Sequence, residues 1–292
     1  MPIFSQQEKA SIIIGVQTKY QCSSDTEFKM YVEVIAGLQI INKVLGINWY
    51  NRAKQQIQDS DLESKQKHPI NHYLRLDKPE NMVQLMHFAS CLRDLYDTTN
   101  LAQKVKEFTG KRKNSPITVE DFDKFHTEIK VASVFVLKGF DVEFLKENKN
   151  KKTPDLKISG KDGSALLECK RKTIEGKFNV DSLLSSITTA NQQLETSTLP
   201  GIIYIDIPLT SNIKIGSKFR EVSFNEIFPE LKTVHYIVIS GEWQEVISGR
   251  ARHTTFMYPY ENKMSDRKLP PSIQDIFVDI HPPPNKPSLL DD

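Results

Sequence analysis

The sequence predicts an α/β fold with a mixed sheet, preceded by a mainly α-helical N-terminal domain, and three observations predict it. Up to residue 112 the apolar residues recur with a helical period. From about residue 118 the order becomes helix, three short strands, helix, strand. The run Gly201-Ile-Ile-Tyr-Ile-Asp-Ile-Pro208 is almost continuously apolar, as a strand covered on both faces must be.

In the first region, Phe28, Tyr31, Val32, Ile35, Leu38 and Leu45 fall on one face of a helix. A second helix opens at Asp77, with Glu80 three residues on as a capping-box partner. Its stripe is Met82, Leu85, Met86, Ala89, Leu92 and Tyr96. Residues 51–76 between them are polar and glutamine-rich. Residues 109–116 mix Gly, Pro and basic residues, which marks a linker and gives a helical domain over 1–112.

The second domain is expected over 113–261. Thr118 and Asp121 form a capping-box pattern for a helix that ends at Gly139, with Phe122, Phe125, Ile129, Ala132 and Val136 as its stripe. Strand alternation follows over 140–145, 155–159 and 165–172, and Asp162-Gly163 supplies the hairpin turn. A helix over 181–196 carries Val180, Leu183, Leu184, Ile187 and Leu194 on one side. A short helix over 224–232 and a strand over 234–240 complete the series. Residues 262–292 hold six of the fifteen prolines and read as an extended arm or tail, not a regular helix.

The chain has 292 residues, room for about two domains at roughly 100–200 residues each. Hydrophobic residues make up 38% and charged residues 26%, which excludes a disordered chain and supports a core of ordinary size. No apolar run approaches the roughly 18 residues of a membrane span, and no basic segment followed by an apolar stretch opens the sequence. Cys22, Cys91 and Cys169 are odd in number and far apart, so neither a disulfide framework nor a zinc site is expected. A cytoplasmic protein with no membrane partner is the expectation. The net charge of +2 excludes indiscriminate binding to polyanions, yet residues 146–177 carry ten Lys/Arg against five Asp/Glu.

That basic segment holds the one constellation that carries chemistry. Pro154-Asp155 is followed by Glu168-Cys169-Lys170. On a strand Glu168 and Lys170 share a face, and Asp155 and Lys157 share one on the neighbouring strand. Pairing through the Asp-Gly turn would bring both carboxylates and Lys170 together. Two carboxylates make a hard-oxygen site suited to Mg²⁺. Glu-x-Lys occurs eight times in the chain and is uninformative alone. Pro-Asp occurs once, and only the Glu168 triplet downstream of it lies in a clean apolar strand.

Over residues 118–208 the order of elements and these residues resemble the PD-(D/E)xK nucleases, the restriction-endonuclease-like fold. The resemblance implies that Asp155 and Glu168 bind Mg²⁺, with Mn²⁺ as a substitute and the Cys169 backbone carbonyl as a further ligand. It implies that Lys170 assists the attacking water, and that Glu128 on the preceding helix is an auxiliary acid. A Gln on the helix after the third strand belongs to the same pattern, and Gln192 and Gln193 both stand there. Lys157, Arg171 and Lys172 complete the expected nucleic-acid contacts. The implied activity is a nuclease, foremost an endonuclease on double-stranded DNA, in restriction or defence, with a homodimer expected. The alternatives are a non-catalytic DNA-binding or assembly subunit of the same fold, and an RNA-directed nuclease or toxin. The N-terminal domain would serve recognition, oligomerisation or partner binding.

Other residues are expected to do plainer work. Lys130 reads as a solvated lysine, Cys169 as a core side chain on the face opposite Glu168, and His126 and His253 as surface or packing residues.

Overall fold

The structure is a computed structural model, and it describes residues 3–46, 51, 79–110, 119–146, 152–172, 180–208, 224, 226–247 and 250–278. The chain divides into two compact units, one containing Met1–Asp97 and Leu101–Phe122, the other Thr98–Asn100 and Asp123–Pro282.

The first unit is helical. Helix α1 spans Gln6–Lys19 and opens with a reciprocal box, Ser5 capping the Glu8 N–H while Glu8 returns to Ser5. Helix α2 spans Asp25–Leu45, capped by Ser24 and ended by Gly46 at φ +89°, a conformation that favours glycine. Lys43 of α2 pairs with Glu8 at 2.7 Å and also donates to the Ile3 carbonyl. Helices α3 (Pro79–Asp94) and α4 (Leu101–Gly110) pack on α2. Because α2 is covered from several sides, Val34, Ala36, Gly37, Ile40 and Ile41 are buried as well as Val32 and Leu45. Of the stripe expected from periodicity only Val32 and Leu45 are buried, while Phe28, Tyr31, Ile35 and Leu38 are half-buried. On α3 the buried positions include Phe88, and in the turn that follows it Leu95 is buried whereas Tyr96 is exposed. Asp77 and Thr118, expected as caps, lie outside the described residues.

Helix α5 spans Val119–Leu137. Its Phe122 packs edge-on against Phe88 and near Phe108, which places the boundary between units at Phe122/Asp123, inside a helix and past residue 112. The basic composition of residues 109–116 is no guide to where these rings pack.

The second unit is built on a six-stranded mixed sheet in the order β1-β2-β3-β4-β5-β6. After Gly139, at φ +85°, come β1 (Asp141–Phe144), β2 (Leu156–Gly160) and β3 (Gly163–Arg171), all antiparallel neighbours. The chain then crosses through α6 (Val180–Leu194) to β4 (Gly201–Pro208), which lies parallel to β3. Strand β5 (Val234–Ile247) is parallel to β4 and antiparallel to β6 (Arg250–Glu261). Leu183, Ile187, Ala190 and Leu194 of α6 bury one stripe against Leu166, Ile203, Ile205, Ile237 and Ile239. Each such Leu or Ile side chain contributes about 1.5–3 kcal/mol of burial. Val180, expected on this stripe, is exposed.

Two elements depart from the sequence expectation. Strand β6 was not anticipated, because its Thr-, Arg- and His-containing run with Pro259 lacks an apolar pattern, and an edge position tolerates that proline. Within the expected C-terminal arm, Pro271–Val278 forms helix α7. Proline stands at its first position, where the missing N–H costs nothing. Asp162, in the β2–β3 turn, accepts the Ser272 N–H at 2.9 Å, and Phe277 stacks on Tyr236 with ring centroids 4.9 Å apart.

Candidate functional site

The site forms where β2 begins. Antiparallel β2 and β3 pair Leu156 with Leu167 and Lys157 with Leu166, so one step further Asp155 stands opposite Glu168. Hydrogen bonds from Leu166 to Pro200 and from Lys172 to Asp206 show that the even residues of β3 bond toward β4. Backbone alternation then turns the Cys169 N–H and carbonyl toward the β2 side. Pro154 ends the ladder there, and Asp155 Oδ2 accepts the Cys169 N–H at 2.9 Å. This bond fixes the first carboxylate.

Glu168 is 0% exposed. Its Oε1 accepts from Lys170 Nζ at 2.6 Å, and its Oε2 is a buried oxygen with no hydrogen-bond partner among the described residues. Burial pushes its carboxyl up to about 8 and the neighbouring Asp155 charge pushes the same way, while Lys170 opposes them. Lys170 also donates to Gln193 Oε1 at 2.9 Å, and Gln193 Nε2 donates to the Thr153 carbonyl at 3.1 Å. Gln193 therefore ties Lys170 of β3 to the segment that delivers Asp155.

Glu128 is buried on α5. Lys124, one turn earlier, holds its Nζ 3.9 Å from both Glu128 Oε1 and Asp155 Oδ1. Glu128 is thus linked to Asp155 through a shared lysine. Sequence reasoning missed Lys124, although its i, i+4 spacing to Glu128 was the available signal.

The remaining candidates separate. Gln192 accepts from the exposed Lys152, outside the Glu168–Lys170 chain, so Gln193 is the glutamine of the site. Lys157 is half-buried on the Glu168 face of the sheet. Lys172 shares that face and donates to Ser182 at 2.9 Å; partial desolvation pushes its ammonium downward. Arg171 points to the opposite face, where Asp206 and Asp123 engage it. Its guanidinium serves the interior, which corrects the expectation of a nucleic-acid contact. Lys130 is likewise no solvated lysine: it is buried and paired with Asp206. Cys169 and His126 are buried as expected, and the side chain of His253 lies outside the described residues.

Comparison with family models, with curated proteins and with solved structures finds no match to this chain. Among the described residues no helix is long and apolar enough to cross a membrane.

Among the same residues, no group of three or more His, Cys, Asp or Glu side chains is arranged to hold a metal ion. The residues present that could contribute to a hard-cation site are Asp155 and the Glu168 oxygen for which no described residue supplies a hydrogen bond, two hard-oxygen donors of the kind Mg²⁺ takes alongside waters.

Proposed function

We propose that the chain is a Mg²⁺-dependent nuclease with a restriction-endonuclease-like core, acting foremost as an endonuclease on double-stranded DNA. The observation that carries this reading is the convergence of Asp155, Glu168 and Lys170 at the start of β2, with Glu168 Oε2 buried and unsatisfied. A buried carboxylate oxygen without a donor costs about 1–3 kcal/mol or more, a cost that a bound cation would relieve.

Asp155 and Glu168 would hold the ion, with the Cys169 carbonyl beside them. A bound Mg²⁺ or Mn²⁺ supplies Lewis acidity toward water and phosphate oxygens. Lys170 Nζ, held between Glu168 and Gln193, would orient the attacking water and stabilise negative charge developing on the phosphate. Asp155 keeps its orientation through the Cys169 N–H. Glu128 and Lys124 would act as an auxiliary acid–ammonium pair at the edge of the site. Lys157 and Lys172, on the Glu168 face, would meet the phosphate backbone and make binding fall with salt.

One observation favours a second reading, a non-catalytic nucleic-acid-binding or assembly subunit. Lys170 already forms an ion pair with Glu168, a self-contained arrangement. Incubation of the purified chain with supercoiled plasmid, linear duplex, single-stranded DNA and RNA, in Mg²⁺, Mn²⁺ or EDTA, separates the readings. Metal-dependent cleavage of duplex DNA supports the first. Binding without cleavage supports the second, and cleavage of RNA alone reassigns the substrate.

A further inference from the structure

A polar row crosses the middle of the sheet on the face opposite Glu168. Arg171 of β3 pairs across to Asp206 of β4, and Asp206 pairs across to Ser240 of β5. Asp206 is 1% exposed in an otherwise apolar strand. Four donors converge on it: Lys130 Nζ, Arg171 Nη1 at 2.9 Å, Ser240 Oγ at 3.1 Å and Thr127 Oγ1 at 3.2 Å. Arg171 Nε also lies 3.4 Å from Asp123 Oδ2. Two aspartates thus face two cations in the sheet–helix interface.

Three of these groups come from α5. Asp123, Thr127 and Lys130 are spaced by four and three residues, so they form one stripe of the helix. Lys124 and Glu128, one residue further on, form the adjacent stripe, and that stripe reaches Asp155. Apolar side chains of similar volume would hold a helix on a sheet at least as strongly as a buried ion network. They would discriminate less sharply between neighbouring registers, because dispersion contacts depend on shape and lack the directionality of hydrogen bonds. Hydrogen bonds from two helical positions to one carboxylate are directional, and a slip of one helical turn, about 5.4 Å, breaks both.

We propose that the Asp206 network is a positioning device that sets α5 against β3–β5 and so delivers Lys124 and Glu128 to Asp155. Asp206, Lys130 and Thr127 are positioning residues. The consequence for turnover rests on the nuclease reading, but the geometric part stands without it.

The test compares the wild-type chain with the Asp206→Leu/Lys130→Met double variant, which replaces the central pair by apolar groups and leaves Arg171 to Asp123. Crystal structures of both read the separation of Lys124 Nζ from Asp155 Oδ1, 3.9 Å here. The expected result is a folded variant in which that contact is lost, with Lys130→Arg retaining it. An unchanged contact in the folded double variant overturns the inference. Should the double variant not fold, Asp206→Asn, which keeps the shape of the side chain, takes its place in the same comparison. In a cleavage assay the variant's kcat is expected to fall about tenfold or more with KM nearly unchanged, since reacting groups tolerate little misplacement. A wild-type chain that cuts nothing counts against the nuclease reading, while the crystallographic comparison still decides the positioning role.

Discussion

Lys170 donates to Glu168 Oε1 at 2.6 Å from two residues further along the same face of β3. That bond occupies one carboxylate oxygen and leaves the other buried and, among the described residues, without a hydrogen-bond partner. A cation ligated by Oε2 is compatible with the lysine on Oε1, so the two functions proposed for the pair do not compete.

Glu168 makes stability fall at high pH. Its folded pKa, about 8, lies above the ordinary value of 4.5, so the fold favours the protonated form. The stabilisation from this group is complete below pH 4.5 and is lost as pH rises through 8. Glu168→Gln is expected to raise the metal-free melting temperature at pH 9 by a few degrees, corresponding to about 1–3 kcal/mol, and to change it little at pH 5. Thermal melts in EDTA across pH 5–9 check this, and parallel profiles for the two chains contradict it.

If Asp155 and Glu168 hold the proposed ion, removing either carboxylate should weaken metal binding. Asp155→Asn and Glu168→Gln are each expected to lower Mn²⁺ affinity by about tenfold or more in calorimetric titration, because each removes one of two anionic ligands. Equal affinity in wild type and both variants places the ion elsewhere.

Gln193 is expected to matter for rate more than for stability. Gln193→Ala removes the bridge between Lys170 and Thr153, both of which lie in contact with the segment carrying the reacting groups. The cleavage rate should drop about tenfold or more, with a stability loss near 1 kcal/mol, the usual value for a partly buried hydrogen bond. Gln192→Ala, by contrast, should leave the rate close to wild type. Equal losses for both would contradict the assignment.

His235 gives an acid limit. Its Nδ1 accepts the Leu269 N–H at 2.9 Å, and its Nε2 is buried. Burial pushes its pKa down, with Lys268 adding to the effect and Glu261 opposing it. A histidine with a depressed folded pKa stabilises the fold above its ordinary pKa of 6.5, and that stabilisation is lost as pH falls. The stability difference between the wild type and His235→Gln in denaturant melts should therefore shift against the wild type from pH 7 toward pH 5, on top of the opposite contribution of Glu168 that both chains share. A difference that stays constant over that range contradicts the assignment.

Much of the second unit was legible because its signals are local. The alternation of 165–172, the Asp162-Gly163 turn and the apolar run 201–208 each specify an element without distant partners. The approach of Asp155 to Glu168 followed from the register that the turn imposes. What stayed hidden depends on long-range contacts. Asp206 reads as an interruption in an apolar strand until Lys130, 76 residues earlier, and Arg171 are brought to it by the fold. Lys130 therefore read as solvated, and Arg171 as free to meet a phosphate. The choice between Gln192 and Gln193 turned on the rotation of α6 over β3, which the Ser- and Thr-rich polar side of that helix does not specify. Strand β6 and helix α7 acquire their order from neighbours, Tyr236 and Asp162 among them, more than from their own proline-containing sequences.

The most direct test of the central claim is nicking of supercoiled plasmid in Mn²⁺ by the wild-type chain, Asp155→Ala and Lys170→Ala, each purified identically. Nicking by the wild type that EDTA abolishes, reduced by about a hundredfold or more in both variants, is the predicted result. Nicking that survives in both variants, or its absence from the wild type in every divalent ion tried, would contradict the account.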